Sequence, residues 1–149
     1  MSTPSAFGRI EVPELGPTGY ASQAIKTTPS AGVTIYTAGH IGAVDGKLET
    51  TFIEQARRAY DNLRITLEKS GARVQDIVRL NMYCVKWMCV PPEVQAEFYS
   101  LTTEFVGLND KAEPHRPATT LLGLESLFVA DCLFEVDAIA VLPTAPLHL

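Results

Sequence analysis

Glu135 and Asp137, two positions apart in the apolar run Phe134-Glu135-Val136-Asp137-Ala138-Ile139-Ala140, are the residues of this 149-residue chain that point most directly to acid–base chemistry. In a strand, side chains i and i+2 share a face, so the two carboxylates stand close enough to influence each other's protonation and one of them suits a general base. The same spacing also suits an edge-strand or salt-bridged carboxylate. Tyr20, just after Gly16-Pro17, offers a phenol to a ligand or packs half-buried at a strand start. His40 follows Thr37-Ala38-Gly39. An imidazole there could relay a proton or sit in a solvent-facing loop, and Gly39 would let a ligand or another chain approach the backbone. Trp87 and Met88, beside Cys89 and Pro91-Pro92, line an apolar pocket in one reading and pack under a helix in another. Cys84 and Cys132 lie in strand-like apolar settings and read as inert core thiols rather than nucleophiles.

Composition removes several function classes. Net charge is −5, and no basic cluster exceeds the pair Arg57-Arg58, so there is no electrostatic footprint for nucleic acid or an anionic membrane. The start Met1-Ser2-Thr3-Pro4-Ser5 shows no leader pattern, and no apolar run reaches membrane-spanning length. The three cysteines lack Cys-x-x-Cys spacing and the three histidines are scattered, so reduced thiols, a cytoplasmic location and no metal are expected. No phosphate-cradling glycine loop is present, so no nucleotide or other cofactor is implied. With 46% apolar and 19% charged residues, the chain suits one domain over residues 1–149 that buries roughly 70% of its unfolded surface.

The elements that must position these residues follow from periodicity. Residues 1–15 form an irregular lead-in with at most one short strand near Gly8-Val12, and residues 20–26 and 32–38 read as strands, with a turn at Asp45-Gly46. Thr51-Phe52-Ile53-Glu54 is a capping box opening a helix whose apolar stripe Ile53, Ala56, Tyr60, Leu63 and Leu67 runs to a stop at Gly71. Ile77 to Val85 alternates as a strand. A second amphipathic helix follows Pro92 through Val94, Phe98, Leu101 and Phe105, and strands at 118–124 and 133–142 complete an α+β layout. Two helices cover one face of a single sheet. The other face also carries apolar side chains such as Ile139 and Val141, so a homo-oligomer is expected.

Arg116-Pro117-Ala118-Thr119-Thr120-Leu121-Leu122-Gly123-Leu124, followed by the Glu135 strand, resembles the C-terminal signature of the RidA/YjgF family. Gly16-Pro17 with Tyr20, Thr37-Ala38-Gly39, Gln55 with Asn62-Leu63, and Gly71 with the Val78 strand agree in order, so the resemblance spans residues 15–142. It implies a chorismate-mutase-like protomer, a homotrimer with sheets inside, and pockets between subunits. It also implies metal- and coenzyme-free hydrolysis of imines or enamines to keto acids and ammonia.

In that resemblance Glu135 takes the place of a water-positioning glutamate, Tyr20 of a pocket tyrosine and Gly39 of a backbone contact, while His40 stands where the family often has glutamine. The carboxylate-clamping arginine is replaced by Thr119, which cannot reproduce a bidentate guanidinium grip. Arg116, an odd step away, points to the opposite face unless the chain bends at Pro117.

The combined expectation is a proton-transfer enzyme with Glu135, Tyr20 and His40 as catalytic groups. Gly39, Thr119, Thr120, Arg116 and Trp87 would contact the substrate. Imine or enamine hydrolysis, tautomerisation and water-assisted ring chemistry all suit such groups, on a substrate other than the usual 2-imino acids. The alternative is a catalytically silent trimer that binds a metabolite or a protein partner in the same cleft. A ribonuclease role, ascribed to some relatives of the family, ranks last on charge.

Overall fold

A computed structural model of the chain describes residues 7–10, 13, 24–27 and 32–143. Strand β1 (Phe7–Ile10) pairs antiparallel with β2 (Ala24–Thr27) as a separate two-stranded ribbon. β3 (Gly32–Tyr36) and the short β4 (His40–Ile41) come next, followed by a second ribbon of β5 (Ala43–Val44) and β6 (Lys47–Leu48). Its turn is the expected Asp45-Gly46, both at positive φ (51° and 76°), as a two-residue hairpin loop requires.

Helix α1 (Phe52–Lys69) begins at the capping box. The Glu54 N–H donates to the Thr51 hydroxyl (3.3 Å), and the Thr51 N–H donates to the Glu54 carboxylate (2.9 Å). It ends where Gly71, at φ 82°, lets its own N–H reach Glu68 O and the Ala72 N–H reach Leu67 O (2.8 Å), a Schellman closure. β7 (Ile77–Val85) is followed by a 3₁₀ turn at Trp87–Cys89. Helix α2 (Pro92–Val106) opens on a proline whose missing N–H would have had no helical partner. β8 (Ala118–Leu124) and β9 (Phe134–Pro143) complete the chain's main sheet.

That sheet has the order β3-β9-β7-β8, with β4 also beside β9. β7 and β8 run parallel, the crossover between them carrying α2, and the other pairs are antiparallel. Both helices pack on one side. Leu80, Met82, Phe134, Val136 and Ala138 meet Ala56, Tyr60, Leu63 and Leu67 of α1 and Phe98, Leu101 and Phe105 of α2 in one core. Its centre is aromatic: Phe134 lies 5.3 Å from Phe98 and 5.4 Å from Tyr60, ring to ring, in edge-to-face arrangements. The α+β fold with two helices on one face agrees with the sequence expectation. The parallel pairing of β7 with β8 adds what periodicity leaves open. Among the described residues, no helix is long and apolar enough to cross a membrane.

Candidate functional site

The residues that alternate with the core residues on β7, β8 and β9 point away from both helices and form the open face. Register aligns them in three rows: Ile139, Arg79 and Ala118; Asp137, Asn81 and Thr120; Glu135, Tyr83 and Leu122. Four side-chain hydrogen bonds knit the rows together: two join the first row to the second, one lies within the second and one joins the third to the second. Arg79 donates from Nε to Asn81 Oδ1 (3.0 Å) and from Nη2 to Thr120 Oγ1 (2.5 Å). Asn81 Nδ2 and Tyr83 OH each donate to one oxygen of Asp137 at 2.8 Å. The Asp137 hydrogen bond, helped by burial and the nearby carboxylates, pushes the Tyr83 phenol up to about 12 against the opposing effect of Arg79. Tyr83 is therefore a fixed donor at neutral pH.

The two carboxylates differ in their partners. Asp137 is held by two donors, whereas Glu135 accepts no hydrogen bond from any described residue. Its carboxylate lies over Gly39, where a Cβ would stand 1.8 Å from Glu135 Oε1. Gly39 thus makes room for the glutamate of its own chain. Both are braced from the helix side. Asn62 Nδ2 donates to the carbonyls of Ile41 (2.9 Å) and Ala43 (3.0 Å), holding the chain just beyond Gly39. Buried Gln55 donates to Glu49 O (2.9 Å) and Asp131 O (3.1 Å) and accepts from Leu133 N (2.7 Å), anchoring the entry to β9.

Other expected site residues lie elsewhere. His40 pairs with Val136, so it falls in a row that faces the helices, and its Nε2 meets Thr66 Oγ1 of α1 at 2.7 Å. Burial lowers its pKa, an effect partly offset by the Ala38 carbonyl and the charges of Glu135 and Asp137. The period of two separates this imidazole from the Glu135 carboxylate, which pairs with Ile41. The same parity puts Thr119 beside Leu80 in a helix-side row and Thr120 on the open face. Arg116 is half-buried and precedes β8.

Trp87 packs against Phe98 (5.5 Å) and Phe52 (6.1 Å), in keeping with the reading that puts it under the second helix. Tyr20 lies outside the described residues. Burial pushes the Cys84 thiol up to about 12 and raises that of Cys132, as inert core thiols require.

A concavity of about 640 Å³ between the starts of α1 and α2 contains none of these groups. The open face is the better candidate because it gathers Glu135, Asp137, Tyr83 and Arg79. Asn81, Tyr83 and Arg79 are the site residues that motif reasoning missed. Their signal was the polar phase of the alternation over Ile77–Val85, which reads equally as a solvated strand face. Among the described residues, no three His, Cys, Asp or Glu side chains cluster as metal ligands. The site's chemistry is that of an uncommitted carboxylate beside fixed hydrogen-bond donors, able to accept a proton or orient water.

Comparison with known proteins adds a lineage. The family model described as Endoribonuclease L-PSP matches residues 13–142. A 2-iminobutanoate/2-iminopropanoate deaminase from Dermatophagoides farinae is 25% identical over 120 residues, covering 77% of this chain and 89% of that protein. The crystal structure of YyfB from Yersinia pestis, a Rid-family protein of unknown function, superposes with a TM-score of 0.75 at 24% identity, covering 93% of this chain and all of that one. A YjgF/YER057c/UK114 family member from Mycobacterium tuberculosis gives a TM-score of 0.56 at 20% identity, over 91% of this chain and 99% of that one. At these identities the two structures speak for the fold alone.

Proposed function

Because the chain belongs to the Endoribonuclease L-PSP family, the RidA/YjgF family of the motifs above, we propose that it is a RidA-like small-molecule enzyme whose general base is Glu135. The observation that carries this reading is the half-buried Glu135 carboxylate, which lies over Gly39 with no donor among the described residues while its neighbour Asp137 accepts from both Asn81 and Tyr83. The reaction is proton transfer, as in imine or enamine hydrolysis, tautomerisation or water-assisted ring chemistry. The cleft forms when copies of the chain bring their open faces together as a homotrimer. Exposed Tyr36 (75%) and Leu122 (47%) flank the polar rows and supply apolar area for that contact.

The Dermatophagoides relative is named for 2-imino acids, but Thr119 supplies no guanidinium here. Hydrolysis of 2-iminopropionate is therefore expected to run at close to the uncatalysed rate. A ribonuclease role is disfavoured because the open-face rows set one guanidinium against two carboxylates, a poor match to a phosphate backbone.

Deuterium exchange at carbons next to a ketone, followed by NMR in D₂O, reads proton abstraction without a known substrate. The protein should accelerate exchange on small carbonyl probes, and Glu135→Gln should abolish it while leaving the melting temperature unchanged or higher. A destabilised Glu135→Gln with unchanged exchange would return the residue to a structural role. A trimer that binds the probes with no exchange would be the silent binding protein.

A further inference from the structure

The polar rows contain a cation that the base chemistry does not use. Arg79 spends Nε and one Nη2 hydrogen on neutral acceptors, Asn81 Oδ1 and Thr120 Oγ1. Among the described residues it makes no ion pair. Asp137, the carboxylate of the adjacent row, is claimed by Asn81 and Tyr83, so the Asn81 amide stands between cation and anion with its oxygen toward one and its NH₂ toward the other. Three guanidinium N–H groups are left over. In its own row, among the described residues, Arg79 has Ile139 and Ala118 beside it. A half-buried, oriented guanidinium among neutral and apolar neighbours is suited to a planar anion, since a carboxylate can take two parallel N–H donors.

We propose that Arg79 binds the carboxylate of this protein's ligand, and that the ligand's carbonyl or imine carbon lies several bonds from that carboxylate, beside Glu135. The inference rests on the Glu135 reading above and adds the substrate class. The spacing follows from the sheet. Arg79 is tied toward β8, while Glu135 sits on β9 over Gly39, on the side away from β7. Arg79 and Glu135 stand on adjacent strands two rows apart, about 13 Å along the sheet at ~3.3 Å per residue, and the guanidinium, turned toward Asn81 and Thr120 of the middle row, leaves a gap on the order of 10 Å to the Glu135 carboxylate. A 2-imino acid, whose carboxylate is bonded directly to the imine carbon, is too short to meet both groups. An oxo or imino acid with the functional carbon at position four or five spans the gap.

The test is calorimetric binding to the full-length protein of pyruvate, 4-oxopentanoate, 5-oxohexanoate and uncharged 2-butanone. 4-Oxopentanoate or 5-oxohexanoate should bind at least about tenfold more tightly than pyruvate or 2-butanone. Arg79→Gln should lose that advantage, and Arg79→Lys should recover part of it through a single contact. Should Arg79→Gln fail to fold, Thr120→Val, which frees the guanidinium from its acceptor, should weaken the same two ligands. Equal or tighter binding of pyruvate, unchanged binding in Arg79→Gln, or no binding of any oxo acid would each overturn the proposal. Glu135→Gln separates the two readings: it should lose exchange chemistry while keeping the preference for the longer oxo acids.

Discussion

On its helix side the central sheet presents Leu80, Met82, Cys84, Phe134 and Val136, all fully buried; one residue along the same strands, Arg79, Asn81, Tyr83, Glu135 and Asp137 stand half-buried on the open side. The two faces share a backbone and a register. They differ in what pairs them: dispersion and ring contacts on one side, directed hydrogen bonds on the other. The helix side therefore supplies stability and, under the proposed function, the open side supplies chemistry, and substitutions one position apart should separate the two.

The largest expected effect lies in the aromatic centre of the helix side. Phe134→Ala removes a fully buried ring in contact with Phe52, Tyr60 and Phe98 and should cost about 3–5 kcal/mol in urea unfolding. Its neighbour substitution, Glu135→Gln, should cost almost nothing. Similar costs for the two would erase the division between the faces.

The pH limbs of stability should divide between a buried histidine outside the open face and a tyrosine on it. Buried His115 is lowered to about 4, chiefly by burial and next by the charge of Arg9, so it stays neutral in the folded chain where an unfolded histidine would bind a proton. Its contribution is complete above about pH 6.5 and is lost as pH falls toward 4, up to about 3 kcal/mol. His115→Gln should flatten the acid limb of a melting-temperature profile. Tyr83 on the open face acts at the other end. With its phenol raised to about 12 above an ordinary 10, the folded state holds a proton that the unfolded state releases, so its contribution is present below pH 10 and lost between 10 and 12. Tyr83→Phe should cost about 1 kcal/mol at neutral pH. It should also remove the component of the 295 nm tyrosine titration centred near 12.

These elements show what the sequence made legible. The capping box at Thr51, the stop at Gly71 and the alternation from Ile77 to Val85 are local signals, and the structure has each where the spacing puts it. Pairing is not local. That β8 lies parallel to β7, with Thr120 rather than Thr119 beside Asn81, depends on register across a crossover of more than thirty residues, which periodicity does not encode. His40 shows the same limit: following Gly39 in the chain leaves it within reach of the Glu135 charge, but the antiparallel register puts it in a helix-side row with its Nε2 on Thr66. Arg79 was visible as a charged residue in a strand, while its lack of an ion pair among the described residues depends on Asp137 being claimed by Asn81 and Tyr83.

The finest test of the two faces uses the adjacent threonines. Thr119 shares a row with Leu80 on the helix side, and its hydroxyl makes no hydrogen bond to a described residue, so Thr119→Val exchanges an unused hydroxyl for a methyl of similar volume in a half-apolar setting. Its unfolding free energy should change by less than about 0.5 kcal/mol, with no change in ligand preference. Thr120 shares a row with Asn81, and its hydroxyl accepts from Arg79. Thr120→Val strips the guanidinium of one of two acceptors and should cost about 0.5–1.5 kcal/mol, tempered because the pair is only half-buried. Side-by-side urea melts decide the matter. If Thr119→Val is the costlier change, the register that puts Thr120 on the open face is wrong, and Arg79, Asn81 and Asp137 lose the geometry that makes them a site.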